Sequence, residues 1–310
     1  MDNYLVLPII YILRLTTGVR RMKIKKIYIM LALFFLTAFI SIHHNSAHFG
    51  FDSADNGEHP MKESENKIKK DTEPQATEDV ADIAELPEKI TTVFEEKINR
   101  FHNKNIVAIG DSLTQGVGDQ TKRGGYVGII ERTMNENHNN TLFFNFGKRG
   151  LRSEQLMKRL EEEEITSTLS TADIILITVG ANDIMQVAKE NILDLNLSDF
   201  TRERAVYEQN LRTIVEKMRK ISPTSEIYFI GFYNPFEQYF QEIEELKQIV
   251  DIWNETTRKI AEENEAITYI PVDDLFHTGN LMADDHFHPN YNGYHVIAER
   301  VLEYISNEAS

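Results

Sequence analysis

Four stretches of this chain carry side chains whose types and order suit chemistry at an ester or amide carbonyl. The first is Gly110-Asp111-Ser112-Leu113-Thr114-Gln115-Gly116, which cuts off the apolar run Ile106-Val107-Ala108-Ile109. A hydroxyl such as that of Ser112 becomes a useful nucleophile only when a neighbouring imidazole accepts its proton. His288, in Asp284-Asp285-His286-Phe287-His288-Pro289-Asn290, is the candidate base, and Asp285, three residues earlier, is the candidate partner that fixes its tautomer. The remaining need is for donors aimed at the developing oxyanion, which the backbone N–H groups of Ser112 and Gly150 and the side-chain amide of Asn182 can supply. Gly150 ends Asn145-Phe146-Gly147-Lys148-Arg149-Gly150, and Asn182 lies in Gly180-Ala181-Asn182-Asp183.

Each residue also has a plainer reading. Asp111 and Ser112 suit a helix cap, as does Asn182, and Gly150 suits a tight turn. His277, His286 and His295 are rivals to His288 as base, and Gly147 is a rival to Gly150 as donor. The joint occurrence in chain order, one stretch per loop, favours the chemical reading.

The elements that must position these stretches can be read from periodicity. Five apolar runs rich in β-formers, Ile106 to Ile109, Leu142 to Phe146, Ile174 to Val179, Ile227 to Phe232 and Ile267 to Val272, alternate with helix-length segments. Those segments are Tyr126 to Met134, Ser153 to Glu164, Thr201 to Ile221, Glu237 to Asn264 and Tyr291 to Ile305, and a helix over Pro87 to Phe101 leads into the body. Alternation of this kind predicts an α/β domain, a five-stranded parallel sheet of flavodoxin-like type with helices on both faces. Loops after the strands then share one rim, where such sheets bind ligands. The run Glu161 to Glu164 is expected to be the solvated end of a helix.

Charge is distributed unevenly. Residues 1–43 hold Arg14, Arg20, Arg21, Lys23, Lys25 and Lys26 against Asp2, so a total of -16 leaves -21 on the remainder. An acidic body repels phosphate backbones and gives no reason to expect a nucleic-acid partner. The chain has 0 cysteines, which excludes disulfides and thiol chemistry. Ile27 to Ile42 is almost wholly apolar and follows Lys23-Ile24-Lys25-Lys26, the pattern of an export signal or membrane anchor with a cytoplasmic amino terminus. The expected organisation is a doubtful extension over 1–21 with translation starting at Met22, a signal anchor over 22–44, a polar tether over 45–85 and a catalytic domain over 86–310.

Gly110-Asp111-Ser112-Leu113, Gly150, Gly180-Ala181-Asn182-Asp183 and Asp285-His286-Phe287-His288-Pro289 together resemble the four blocks of the SGNH hydrolases, also called the GDSL esterase/lipase family. The resemblance runs from Asn105 to the carboxyl terminus. It implies a three-layer α/β/α sandwich and a serine esterase or lipase without metal or other cofactor. Ser112 would be the nucleophile, His288 the base, Asp285 its orienting acid, and Ser112, Gly150 and Asn182 the oxyanion donors. The anchored form is similar to exported lysophospholipase/acylhydrolase-like proteins of Gram-positive bacteria, with a small acyl-ester substrate, such as a lipid or cell-wall acyl group, and the membrane as partners. His286 stands where the block often has a smaller residue such as glycine. Met185, Phe232, Tyr233, Phe236 and Phe287 are candidate walls of an acyl pocket. Two other functions compete: a metal-dependent phosphoesterase, though the first strand lacks the Asp-x-His pair it would need, and an idle binding module.

Overall fold

The computed structural model describes residues 101–136, 140–191, 196–235, 244–277 and 279–307. The expected extension, anchor and tether, nearly all of the helix over Pro87 to Phe101, and Phe236 lie outside the described residues. Among the described residues, no helix is long and apolar enough to cross a membrane.

Five strands form one parallel sheet: β1 (Asn105–Gly110), β2 (Leu142–Gly147), β3 (Ile174–Thr178), β4 (Glu226–Ile230) and β5 (Ile267–Ile270), in the order β2-β1-β3-β4-β5. This is the flavodoxin-like arrangement expected from the alternation. Among the described residues, eight α-helices accompany the strands. They are α1 (Ser112–Gln115), α2 (Gly125–Glu136), α3 (Ser153–Arg159), α4 (Glu163–Leu169), α5 (Ala181–Glu190), α6 (Leu197–Ile221), α7 (Glu244–Glu262) and α8 (Tyr291–Asn307).

Side chains alternate across each strand, so the sheet builds two cores. Val107, Ile109, Ile175, Ile177, Ile227 and Phe229 pack with α3 to α7, whereas Ile106, Ala108, Ile174, Leu176, Tyr228 and Ile230 pack with α2 and α8. Three layers result, and β1, β3 and β4 are buried on both faces, as a parallel sheet requires.

The structure departs from the sequence reading at several elements, and β5 ends at Ile270 and not at Val272. The segment Ser153 to Glu164 forms two helices, not one, with Leu160, Glu161 and Glu162 between them. Glu163 and Glu164 fall in the first turn of α4, where carboxylates meet the positive end of the helix dipole. Helix α5, absent from the helix-length segments above, starts immediately after Gly180, so that Gly180 and not Asn182 stands at its cap. The apolar run Ile227 to Phe232 leaves the sheet after Ile230, because a side chain replaces the missing strand there: Asn254 on α7 accepts from Phe232 N–H at 3.1 Å and donates to Phe232 C=O at 2.7 Å.

Removing that clasp leaves a buried N–H and a buried C=O unpaired, each costing about 1–3 kcal/mol. Asn254→Leu is therefore expected to lower the unfolding free energy by at least that amount, read as a lower urea midpoint at unchanged slope; an unaltered midpoint would contradict the clasp.

Candidate active site

Ser112 opens α1, and the residue before it does the capping. The Asp111 carboxylate accepts from Leu113 N–H at 3.0 Å, so the capping reading holds for Asp111 and leaves the Ser112 hydroxyl free for other work. Thr178, at the end of β3, donates its hydroxyl to the same Asp111 oxygen at 2.9 Å. Its one proton being used, Thr178 must accept from Thr114 at 2.8 Å, and Thr114 must in turn accept from the Tyr126 hydroxyl at 3.0 Å. This buried chain locks the ends of β1 and β3 to α1 and α2. Burial pushes the Asp111 carboxyl up, against the lowering pull of Leu113, Thr178 and the His288 charge.

His288 reaches Ser112 from the far end of the chain. Its Nε2 lies 2.9 Å from Ser112 Oγ and its Nδ1 2.5 Å from Asp285 Oδ2. An ionised Asp285 can only accept, so Nδ1 carries the proton and Nε2 is left as the acceptor for the Ser112 hydroxyl. Ser112 and His288 are each 7 % exposed, which weakens water's competition for this contact. Asp285 is the more open member, and its other oxygen accepts from the Phe287 and His288 N–H groups at 3.0 and 2.9 Å. Burial alone would raise its pKa; the His288 hydrogen bond and charge, with the two backbone donors, outweigh it and hold the carboxyl down to about 2.

The loop that carries this pair is closed on itself. Ala283 N–H donates to His288 C=O, Asn290 N–H to Leu281 C=O, and the Asn290 amide to the carbonyls of Asn280 and Met282. Tyr294 on α8 donates to Val117 C=O at 2.6 Å, fastening the loop's base to the segment after Ser112. His286 sits in the same loop with φ 55, exposed, and donates its N–H to Ala283 C=O. That left-handed conformation explains why glycine suits the position. His295 lies half-buried on α8 beside Glu299, and it is the His288 ring that meets Ser112 Oγ.

Three groups are the candidate donors to an oxyanion. Among the described residues, neither the Ser112 N–H nor the Gly150 N–H has a partner. Gly150 has φ 77 and open space where a Cβ would be, whereas a Cβ on Gly147 would meet Gln115 N at 2.2 Å. Gly147 is thus packed against α1 and Gly150 faces outward, which separates the two candidates. Asn182, in the first turn of α5, donates one amide hydrogen to Leu151 C=O at 3.1 Å and keeps the other available.

One functional residue was in view in the sequence but given no role. Asp183, 5 % exposed, accepts from Ser153 N–H at 3.0 Å and from Ser153 Oγ at 2.6 Å; Asn210 adds a bond to Ser153 Oγ at 2.9 Å. Ser153 is the first residue of α3, so one carboxylate ties the amino termini of α3 and α5 together and sets Gly150 against Asn182. Burial raises the Asp183 pKa to about 6, despite the lowering effect of the Ser153 donors and Arg152.

A cavity of about 930 Å³, counting its open mouth, adjoins Ser112 and His288. Met185, Phe232, Tyr233 and Phe287 line it, as expected of four of the proposed wall residues. Among the described residues no group of three or more His, Asp or Glu side chains is placed to hold a metal ion.

A three-layer sheet that brings a serine, an imidazole and a carboxylate into contact at its carboxyl edge defines a class of protein, the serine ester hydrolases. Residues 108–296 match the model of the GDSL-like Lipase/Acylhydrolase family, and the chain belongs to that family, as the four blocks led one to expect. It is 31% identical over 209 residues to the uncharacterised protein YpmR of Bacillus subtilis, covering 66% of this chain and 82% of that one. With the spore germination lipase LipC of Bacillus licheniformis it shares 26% over 204 residues, 63% of this chain and 92% of the relative. The crystal structure of the lipase Lip_vut3 from a goat rumen metagenome is similar at a TM-score of 0.58 and 25% identity, covering 66% of this chain and 98% of that one.

Two carboxylates make opposite contributions to stability. Asp285, lowered in the fold to about 2 from an ordinary 3.8, adds stability that is present above about pH 4 and lost as pH falls towards 2. Asp183, raised to about 6, binds its proton more tightly folded than unfolded, so its contribution declines as pH rises from about 4 through 6. In denaturation at stepped pH, Asp285→Asn is expected to flatten the acid limb and Asp183→Asn the decline between pH 4 and 6; parallel curves for all three proteins would contradict both assignments.

Proposed function

We propose that this chain is an extracytoplasmic serine esterase that cleaves carboxylic esters or thioesters through Ser112, His288 and Asp285. The observation that carries the reading is the unbroken line of contacts from Ser112 Oγ through the His288 ring to Asp285. His288 Nε2 takes the hydroxyl proton as Ser112 Oγ attacks the ester carbonyl, and Asp285 stabilises the imidazolium that forms. The N–H groups of Ser112 and Gly150 and the Asn182 amide receive the negative charge that develops on the carbonyl oxygen. Collapse of the tetrahedral intermediate breaks the ester C–O bond, and His288 returns its proton to the departing alcohol. Water then repeats the sequence on the acyl-enzyme, with His288 again as base, and releases the acid.

Likeness to LipC, described as a lipase, supports an ester of lipid type as substrate. The exported location rests on the sequence alone: the basic Lys23 to Lys26 before the apolar Ile27 to Ile42, and the polar tether that follows. The membrane is then the anchor's partner, and the ester is cleaved outside it.

Loss of the nucleophile or the base from such a unit costs about 10⁴-fold or more in kcat. Ser112→Ala and His288→Ala are each expected to show that loss on p-nitrophenyl butanoate, with thermal unfolding unchanged within a few degrees. Near-normal turnover by folded Ser112→Ala would overturn the mechanism.

A further inference from the structure

The cavity beside Ser112 is one-sided in its chemistry. Ala181, Ile184, Met185 and Ala188 all face it, and their spacing of three, one and three residues is that of a single stripe on helix α5. Opposite that stripe, Leu246, Ile249 and Val250 of α7 form the second wall, and Phe200 of α6 and Phe232 after β4 complete the lining. Apart from Asn234 and the Ser112–His288 pair, the polar side chains in its lining are Asp111 and Thr178, which are hydrogen-bonded to each other, and Tyr233, whose hydroxyl donates to Phe287 C=O. A sugar hydroxyl or a charged acid entering here would give up water for few partners. A hydrocarbon chain loses nothing by entering.

Length follows from the helix. Ala181 adjoins the oxyanion donor Asn182, and Ala188 lies seven residues further on, about 10 Å along the helix axis at 1.5 Å per residue. With C–C bonds of about 1.5 Å in zigzag, that path holds on the order of eight carbons. The small side chains at its two ends leave the slot open where bulkier ones would close it.

We infer that the slot between α5 and α7 is an acyl-chain site, and that it makes the enzyme select straight acyl chains of on the order of eight carbons over acetyl. This rests on the esterase reading, since the chain must be the acyl half of an ester whose carbonyl sits at Ser112. Selection arises because each buried methylene contributes its transfer free energy in the transition state, about fourfold in kcat/KM. Ala188, 4 % exposed, marks the far end, where a larger side chain shortens the slot.

The test is kcat/KM of the full chain on p-nitrophenyl acetate, butanoate, octanoate and myristate, for the unsubstituted protein, Ala188→Phe and the milder Ala188→Leu. Thermal unfolding and ethyl fluorophosphonate labelling of Ser112 accompany each. Octanoate is expected to exceed acetate by roughly 100-fold or more, and the octanoate-to-acetate ratio to fall at least tenfold in whichever variant is folded. Equal or better use of acetate by the unsubstituted protein, or an unchanged ratio in a folded variant, overturns the acyl site while labelling and turnover leave the esterase intact. Absence of both labelling and turnover on every ester overturns the esterase reading itself, and this one with it.

Discussion

The hydrogen bond between His288 Nε2 and Ser112 Oγ joins residues 176 positions apart, and the architecture can be understood as what that contact demands. Ser112 follows β1, near the middle of the sheet, whereas the histidine loop follows β5 at its edge. The gap is closed on one face only. Helices α2 and α8 pack together there in the core built around Tyr126, Ile130, Tyr294 and Val301, and the Tyr294 hydroxyl reaches back to Val117. The imidazole is thus delivered by packing of large buried side chains, and its loop needs to be rigid only over the last few residues, where backbone and side-chain bonds make it so.

On the opposite face the same sheet solves a different problem. Two of the proposed oxyanion donors, Gly150 and Asn182, follow β2 and β3, neighbours of β1 on either side. A buried carboxylate ties their segments together. Asp183 neutralises two helix amino termini at once, and its environment pushes its pKa up, whereas the more open Asp285 is pulled down by its imidazole. Two acidic residues therefore have separate duties: one stays charged at the reaction centre, and the other sacrifices some stability at neutral pH to keep a loop in place.

Much of this was legible in the sequence where the chemistry is local. Asp285 and His288 lie three residues apart, Ser112 follows an unmistakable buried strand, and the strand and helix periods gave the sheet. What escaped was carried by contacts between distant residues. Asp183 shows no duty in the sequence, because its partner Ser153 lies 30 positions away and looks like any polar residue before a helix. The spacing Asn145-x-x-x-x-Gly150 favours Gly150 over Gly147 by resemblance alone, and the physical reason, Gln115 packed on Gly147, lies in the fold. Helix α5 shows in the sequence only as the cap that Asn182 suits, because it begins inside the block that carries the chemistry, and β4 ends before the apolar run does because an asparagine, not a strand, pairs with Phe232.

The central claim is that Ser112, His288 and the oxyanion donors act on a single carbonyl. Its most direct measurement is a crystal structure of the protein after reaction with an alkyl fluorophosphonate. The account predicts a phosphorus atom bonded to Ser112 Oγ and one phosphoryl oxygen within hydrogen-bond distance of the Ser112 N–H, the Gly150 N–H and the Asn182 amide. A phosphoryl group attached elsewhere, or turned away from all three donors, would contradict it.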